Sequence, residues 1–251
     1  MWHKISFRLL KQELKRGELT IMALAIILSV TAVLSLSLFS ERLQSGLLER
    51  SSEFLAADRV LSSRRDINQE WLEEAQSRDI KTAWRVVFNS MAFANDTLQL
   101  IDVKAVSDGY PLRGELRIAD TPFVEGEVAQ GLPAVGEAWV ASSLFQALQI
   151  DLGDSIEVGN SAFKVTKVVT YEPDVGFSVF TDSPNVIIPY SQLEQTGLIQ
   201  PGSRVRYNVL MAGSQDALAD YEQWLLPQLN DDTHSWRSIE DGDSPLARSL
   251  N

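Results

Sequence analysis

Cysteine is absent from the 251 residues, and histidine is nearly absent. Without cysteine the chain has no disulfide, no thiolate metal ligand and no cysteine nucleophile. The two histidines, His3 and His234, lie at opposite ends of the sequence, so a histidine-based metal site is not expected. No glycine-rich phosphate loop followed by lysine occurs, which argues against P-loop binding of ATP. We therefore expect no metal and no cofactor on this chain.

Basic residues are scarce in most of the sequence. The chain has 22 Lys and Arg against 34 Asp and Glu, a net charge of −12. Residues 1–18 carry five basic and two acidic side chains, a net of +3, so the remaining residues carry −15. Because binding to phosphate backbones requires basic patches, this acidic body argues against nucleic acid as a partner.

One long apolar run stands out against this background. Leu19–Phe39 comprises 21 residues with no charge, proline or glycine. At about 1.5 Å of rise per residue, such a helix spans the roughly 30 Å hydrocarbon core of a bilayer. A buried core helix is usually shorter and shows a polar face. A cleaved signal peptide has a shorter apolar region and a small-residue exit, for which Ser35–Ser37 is a weak candidate. The run therefore favours a retained transmembrane helix.

The flanks of this run predict its orientation. Five basic residues precede it, and basic flanks stay in the cytoplasm, so we expect 1–18 to be cytoplasmic and the acidic body to lie outside. Residues 1–18 are also amphipathic, so they form either a helix along the inner leaflet or a solvated basic flank. Helical periodicity continues over 40–57, which predicts a stalk helix.

The body alternates short strand and helix patterns, which predicts an α+β fold. A strand–helix–strand order near Asp58–Ala94 recurs near Arg204–Ile239. Hairpins are predicted at Asn95-Asp96 and Gly159-Asn160, and Ser214 is predicted to cap a helix. The simplest architecture is one α+β subdomain made of 58–113 and 203–243, with a strand-rich subdomain, 114–202, inserted. Residues 244–251 would begin a segment that returns to the membrane.

A serine-esterase pattern is the main catalytic candidate. A Gly-Asp-Ser stretch ends at Ser155, and an Asp-x-x-His stretch joins Asp231 to His234. In that reading Ser155 is the nucleophile, His234 the base and Asp231 its orienting carboxylate. Ser155 nevertheless falls in a predicted turn that enters a hairpin, unlike an exposed nucleophile elbow. We therefore expect no catalytic residues and no enzyme activity, with the esterase kept as an alternative.

Four stretches of the body together resemble the FtsX-like ABC transporter permeases, which carry a MacB-like periplasmic core domain. Within that family the resemblance is to the YbbP type of permease. The four stretches are "FLAADRVLSS" (54–63), "VKAVSDGYPLRGEL" (103–116), "EPDVGFSVF" (172–180) and "TGLIQPGSRVRY" (196–207). The resemblance implies an N-terminal transmembrane helix, a stalk and a periplasmic domain with two subdomains. Members of the family have further membrane helices after this domain, so the chain is expected to be the N-terminal part of a permease.

The resemblance also implies a function and partners. The protein is expected in a bacterial inner membrane, where it couples ATP hydrolysis by a cytoplasmic ABC ATPase subunit to periplasmic handling of lipid-like or other amphipathic substrates. ATP is expected on that partner, and the remaining permease helices or a second permease half are further partners, with a periplasmic protein as another possible one. The alternative is a single-pass binding or scaffold module that works without transport.

The stretch "EPDVGFSVF" offers two sets of side chains. Pro173 and Gly176 shape a turn, and no histidine, cysteine or cation site accompanies Glu172 and Asp174 in the sequence, so the stretch is interpreted as a structural loop. Three of its apolar residues are candidates for contact with substrate or partner, although a core role is favoured for them: Phe177, Val179 and Phe180.

Overall fold

The structure is a computed structural model that describes residues 21, 24–36, 38, 56–174, 183–200, 203, 205–230 and 232–238. The chain divides into two compact units, residues 1–49 and residues 50–251.

In the first unit, residues 21, 24–36 and 38 are helical. Its large apolar side chains are exposed, among them Leu28 and Leu36 at 75% and 70%. In the part of the chain that the structure describes, no helix is both long enough and apolar enough to cross a membrane. The predicted stalk, 40–57, lies outside the described residues except at its last two positions.

The second unit is a mixed α+β domain around one sheet of eleven strands. The helices are α1 (Gln69–Ser77), α2 (Ser142–Leu148) and α3 (Gln215–Leu225). The strands are β1 (Arg59–Ser63), β2 (Lys81–Ala94), β3 (Thr97–Val106), β4 (Arg117–Ala119), β5 (Glu127–Val128), β6 (Glu137–Ala141), β7 (Ser155–Val158), β8 (Ser161–Tyr171), β9 (Asn185–Pro189), β10 (Arg206–Ala212) and β11 (His234–Ser238).

The strand order is β11-β1-β10-β2-β3-β9-β6-β8-β4-β5, with β7 paired to β2 and β8. The pairs β3–β9 and β6–β8 are parallel, and the others in the described sheet are antiparallel. The two predicted strand–helix–strand units, β1-α1-β2 and β10-α3-β11, are confirmed and interleave, because β10 lies between β1 and β2. This interleaving is the split β-α-β arrangement.

Local signals account for several of these elements. The α1 helix begins after Asn68, whose side chain accepts a hydrogen bond from the Glu70 amide, and α3 begins after Ser214, which accepts from the Ala217 amide. The Ser214 cap and both predicted hairpins are confirmed. After β9 the chain forms a pair of 3₁₀ turns, Tyr190–Gln192 and Glu194–Thr196.

The two faces of the strands β1, β10, β2 and β3 differ. Directly paired residues in antiparallel strands share a face, so the register assigns each side chain to one side. One side, here called the helix face, packs on α1, α2 and α3 through residues such as Leu61, Val86 and Ile101. The other, the open face, carries Ala83 and Val106 in a core closed by Tyr110, Leu112 and Leu116. No helix of the described part contributes to that second core.

The sheet passes without a break from β3 through β9 to β6, so the strands of the two predicted subdomains are joined by hydrogen bonds. The subdomain bounds 58–113 with 203–243, and 114–202, remain predictions. The strands β4 and β5 were not predicted, because each is only two or three residues long.

Candidate functional site: a buried ion network on the open face

Two cationic side chains lie within the sheet on its open face. Arg85 of β2 and Lys104 of β3 are both nearly inaccessible to solvent, with 8% and 6% of their surface exposed. Arg85 pairs with Val106 and Lys104 with Val87, so the two side chains project from neighbouring strands two positions apart. Burial of unpaired charge is very costly, so such positions require anionic partners.

The partners come from the segment that follows β8. Lys104 Nζ donates to a carboxylate oxygen of Glu172 and to Oδ1 of Asp174, the latter at 2.8 Å. Arg85 Nη1 donates to Oδ2 of Asp174. The hydroxyl of Tyr110 donates to Oδ1 of Asp174 at 2.7 Å. We call these five residues the ion network. It holds two cations and two carboxylates and is neutral as a set.

The surroundings shift the protonation equilibria. Burial alone would raise the pKa of Asp174, but Lys104 and Arg85 outweigh it and hold the pKa well below its usual range. Burial alone would lower the pKa of Lys104, but the attraction of Glu172 and Asp174 leaves it raised. Burial and the nearby Asp174 raise the pKa of the Tyr110 hydroxyl. Asp174, Lys104 and Tyr110 therefore keep their ordinary charges at neutral pH.

Polar contacts extend the ion network across the sheet. On one side Asn185 of β9 donates to Glu172 at 2.9 Å. On the other side the Asn208 amide of β10 donates to the Arg85 carbonyl oxygen at 3.0 Å and accepts from the Ser62 hydroxyl at 2.7 Å. The Arg237 guanidinium of β11 donates to that hydroxyl at 3.2 Å. A belt of hydrogen bonds thus crosses six neighbouring strands from β11 to β9.

The geometry of the ion network is suited to holding a chain segment in place rather than to catalysis. The ion network holds no thiol, hydroxyl–imidazole pair or unpaired carboxylate that could act as nucleophile or base. It instead fixes Glu172 and Asp174, immediately before residues 175–182, against β2 and β3. The hydrogen bond from the Asp102 amide to the Pro184 carbonyl oxygen, 3.0 Å, fixes the chain just after them.

This geometry adds to the interpretation of "EPDVGFSVF". The structural role expected for Glu172 and Asp174 agrees with their burial, and their cationic partners are Arg85 and Lys104, which lie far from them in the sequence. The sequence does carry one signal for these two cations, namely that each is flanked directly by apolar residues within its strand. The candidate contact residues Phe177, Val179 and Phe180 lie outside the described residues.

The esterase residues are not assembled in the described part of the chain. Ser155 begins β7 directly after the turn at Gly153, as predicted, and pairs with Lys164. His234 lies on β11, which pairs with β1, and its ring packs edge-on against Trp71 at 5.3 Å. Asp231 lies outside the described residues. Within that described part, no group of three or more His, Asp or Glu side chains is arranged to hold a metal ion.

Comparison with known proteins identifies the class. The family described as MacB-like periplasmic core domain matches residues 19–226, so the chain belongs to that family. It is an ABC-permease-type periplasmic domain of the MacB and FtsX kind, which confirms the resemblance seen in the sequence. Membership implies a membrane protein with a periplasmic domain.

The individual relatives are as follows. The chain is 38% identical over 239 residues to the uncharacterized ABC transporter permease YbbP of Escherichia coli (strain K12), covering 95% of this chain and 29% of that protein. The structure is similar to the periplasmic region of MacB from Actinobacillus actinomycetemcomitans, with a TM-score of 0.48 and 12% identity over 81% of this chain and 97% of that one. It is also similar to the extracellular domain of the noncanonic ABC-type transporter YknZ from Gram-positive bacteria, with a TM-score of 0.47 and 13% identity over 72% and 98% of the two chains.

Proposed function

We propose that the chain is the N-terminal part of an inner-membrane ABC permease that converts ATP hydrolysis by a cytoplasmic partner into motion of its periplasmic domain. The domain then handles lipid-like or other amphipathic substrates at the outer surface of the membrane. The observation that carries the proposal is the 38% identity to a permease along 95% of the chain. Since the chain spans 29% of that relative, the remaining permease helices belong to the proposal as partners.

Two features of the sequence support membrane attachment and direction. The run Leu19–Phe39 has no charge, and the basic residues before it favour a cytoplasmic N-terminus. In this proposal residues 1–18 lie in the cytoplasm, 19–39 span the bilayer and 40–57 transmit motion. ATP binds to the partner ATPase and not to this chain.

These 251 residues contain no cysteine, so cysteines introduced into them can be labelled selectively once any cysteine in the rest of the permease is replaced. Single cysteines at Ser51, in the proposed stalk, and at Asp96, in the domain, would be spin-labelled in the complete permease reconstituted with its ATPase in nanodiscs. The distance between the label at Ser51 and a label placed in the stalk of the second permease half should change between the ADP-bound and ATP-bound states. An ATPase variant unable to bind ATP should abolish the change.

Labels at Glu73 and Asp96 provide the control, because Glu73 lies on α1 and Asp96 in the β2–β3 turn of the same α+β domain. Their distance should stay constant while the Ser51 distance changes. Nucleotide-independent distances at Ser51 would contradict the proposed transmission and favour the alternative, a scaffold module that works without the ATPase. Alkaline phosphatase fused after Asn251 should be active in the periplasm, and an inactive fusion would contradict the proposed topology.

A further inference from the structure

The arginine side chains of the domain differ in whether they form hydrogen bonds or ion pairs. Of the nine arginines in the described ranges, six make side-chain hydrogen bonds or ion pairs. The other three make neither within those ranges and are exposed: Arg64, Arg65 and Arg206. In a chain with 34 acidic residues, three unpaired guanidinium groups at one place are unexpected.

Two of these arginines line a cleft. Arg64 follows β1 and Arg206 begins β10, at the end of the sheet where Ser63 pairs with Tyr207. The cleft between them is lined by Arg64, Val87, Phe88, Asn89, Asp102, Ser203, Val205 and Arg206. It therefore offers two guanidinium groups to a ligand over an apolar floor, whereas the Asn89 amide donates to Asp102 and the Ser203 hydroxyl donates to the Leu198 carbonyl oxygen.

A cluster of exposed apolar side chains lies farther along the same two strands. Met91 pairs with Leu100, and Phe93 pairs with Leu98, so the four form a compact square of cross-strand neighbours. Their exposed fractions are 44%, 48%, 37% and 62% in that order. We call these four residues the apolar square. Contiguous exposed apolar surface of this kind marks interaction sites.

The hairpin that carries the apolar square is stabilised by contacts of its turn and of its helix face. The Asn95 amide donates to the Leu148 and Gln149 carbonyl oxygens, at 3.3 and 2.7 Å. On the helix face Ala92 and Ile101 are completely buried. The exposure of the apolar square is thus a property of a packed hairpin.

Arg206, Val87, Asn89 and Asp102 of the cleft share the open face with the apolar square, whereas Phe88 and Val205 belong to the core of the helix face. Arg206 pairs with Val87, Asn89 pairs with Asp102, and Met91 with Leu100 occupies the next position on that side. With about 3.4 Å per residue, Asn89 lies about 7 Å from Met91 and about 14 Å from Phe93 along β2. A ligand could therefore fill the cleft with a polar head and lay an alkyl chain along the apolar square.

We propose that this surface binds a single-chain amphiphile with an anionic carboxylate or phosphate head. Guanidinium groups match such heads in charge and fork geometry, and desolvation of an alkyl chain on four apolar residues is favourable. The inference rests on the proposed function for its substrate class and adds the sign of the head group and its location.

One acidic group in the cleft limits the attraction. Asp102 accepts a hydrogen bond from the Asn89 amide, and its neighbour across the strands is the paired Lys104. Two arginines and one carboxylate leave the cleft with a net positive charge, in a chain whose residues 19–251 carry a net charge of −15. A cationic or neutral head group would lack this attraction.

The test uses photolabelling of the full chain in neutral phosphatidylcholine nanodiscs, without ATP or ATPase. The probe is a medium-chain fatty acid with a diazirine near its methyl end, and the labelled peptides are identified by mass spectrometry. Labelling should fall on residues 91–100 and should be displaced by dodecyl phosphate, but not by dodecyl trimethylammonium or by inorganic phosphate.

Matched pairs of variants distinguish the loss of charge in general from the loss of side chains at this surface. Arg64→Gln with Arg206→Gln should raise the half-saturating probe concentration roughly tenfold, since two charge-assisted contacts are lost. Lys81→Gln with Lys164→Gln removes the same charge from exposed lysines elsewhere and should leave it within about twofold. Leu98→Ser with Leu100→Ser should weaken labelling strongly, whereas Phe123→Ser with Val135→Ser, also exposed, should not.

Equal displacement by the cationic amphiphile, or equal labelling in the arginine variant, would overturn the proposal and leave a protein partner as the occupant of the apolar square. Full displacement by inorganic phosphate would also overturn it, since the apolar square would then take no part. Because the assay contains no nucleotide, its failure leaves the stalk-distance experiment unaffected, and the two proposals fail separately.

Discussion

At the scale of single residues, the ion network is the most unusual feature of the domain. Asp174 has 2% of its side chain exposed and contacts Lys104, Arg85 and Tyr110. Pairs of this kind add little stability compared with apolar replacements, but loss of one partner leaves a buried charge without compensation. The ion network is therefore more sensitive to removal of one member than its neutrality suggests.

Asp174→Asn should lower the free energy of unfolding by about 3–5 kcal/mol, because Lys104 and Arg85 lose half of their compensation. Urea denaturation of the full chain, followed by tryptophan fluorescence, measures the change. Asp120→Asn is the control, since its ion pair with Lys167 is exposed and contributes about 0–1 kcal/mol. Equal effects of the two substitutions would contradict a special role for the ion network.

The lowered pKa of Asp174 also predicts a pH dependence. A carboxylate whose folded-state pKa lies below its unfolded value of about 3.9 stabilises the fold above that pH, and the contribution is lost as pH falls through the folded-state pKa. The difference in stability between the wild type and Asp174→Asn should thus be constant from pH 5 to 8, within about 0.5 kcal/mol, and shrink below about pH 4. A difference that grows on acidification would contradict the assigned shift.

At the scale of elements, the hairpin β2–β3 carries both the ion network and the apolar square. Its turn, Asn95-Asp96, has positive φ angles of 48° and 57°, as a two-residue hairpin turn requires. Asn95 is tied to α2 by its side chain, whereas no side-chain hydrogen bond of Asp96 is found in the described part of the chain.

Asn95→Ala should destabilise the hairpin by about 1–3 kcal/mol, because a left-handed alanine is strained and the contacts to Leu148 and Gln149 are lost. Asn95→Gly removes the same contacts without the strain and should cost less. Asp96→Gly should be close to neutral. Hydrogen exchange at the amides of β2 and β3 measures these effects, and equal exchange in all three variants would contradict a role for the tie to α2.

The hairpins and caps could be predicted because their signals are local. Asn95-Asp96 and Gly159-Asn160 favour turns on their own, and Ser214 precedes an amphipathic segment. The strand order and the ion network could not be predicted in this way, because Arg85 and Lys104 meet partners 89 and 68 residues away. The exposure of the apolar square could not be predicted either, because Met91, Phe93, Leu98 and Leu100 alternate along their strands as core residues do.

At the scale of the whole domain, β2 links the three hydrophobic cores. Val86 belongs to the core around α2, Ala83 to the core on the open face, and Trp84 packs against the core around α1 and α3. Cores that share a strand unfold together more readily than separate ones, so residues 56–238 should behave as one cooperative unit.

Variants that retain only Trp139 or only Trp236 should therefore unfold at the same urea concentration, within experimental error. Trp139 reports on the core of the open face, and Trp236 on the core around α1 and α3. The remaining tryptophans would be replaced by phenylalanine in both variants. Two separate midpoints would instead show that the predicted inserted subdomain, 114–202, unfolds by itself.

The pairing of β1 with β11 has a mechanical consequence. Arg59, where the chain enters the sheet, is the register partner of Ser238, where the described chain leaves it. A force that separates these two points would act across the hydrogen bonds of β11 and unzip them one pair at a time, since antiparallel bonds run perpendicular to the strands. A displacement applied to both points together would place no force on any one hydrogen-bonded pair and would tilt the whole sheet as a rigid body. The domain therefore stays folded when the two flanking segments move together.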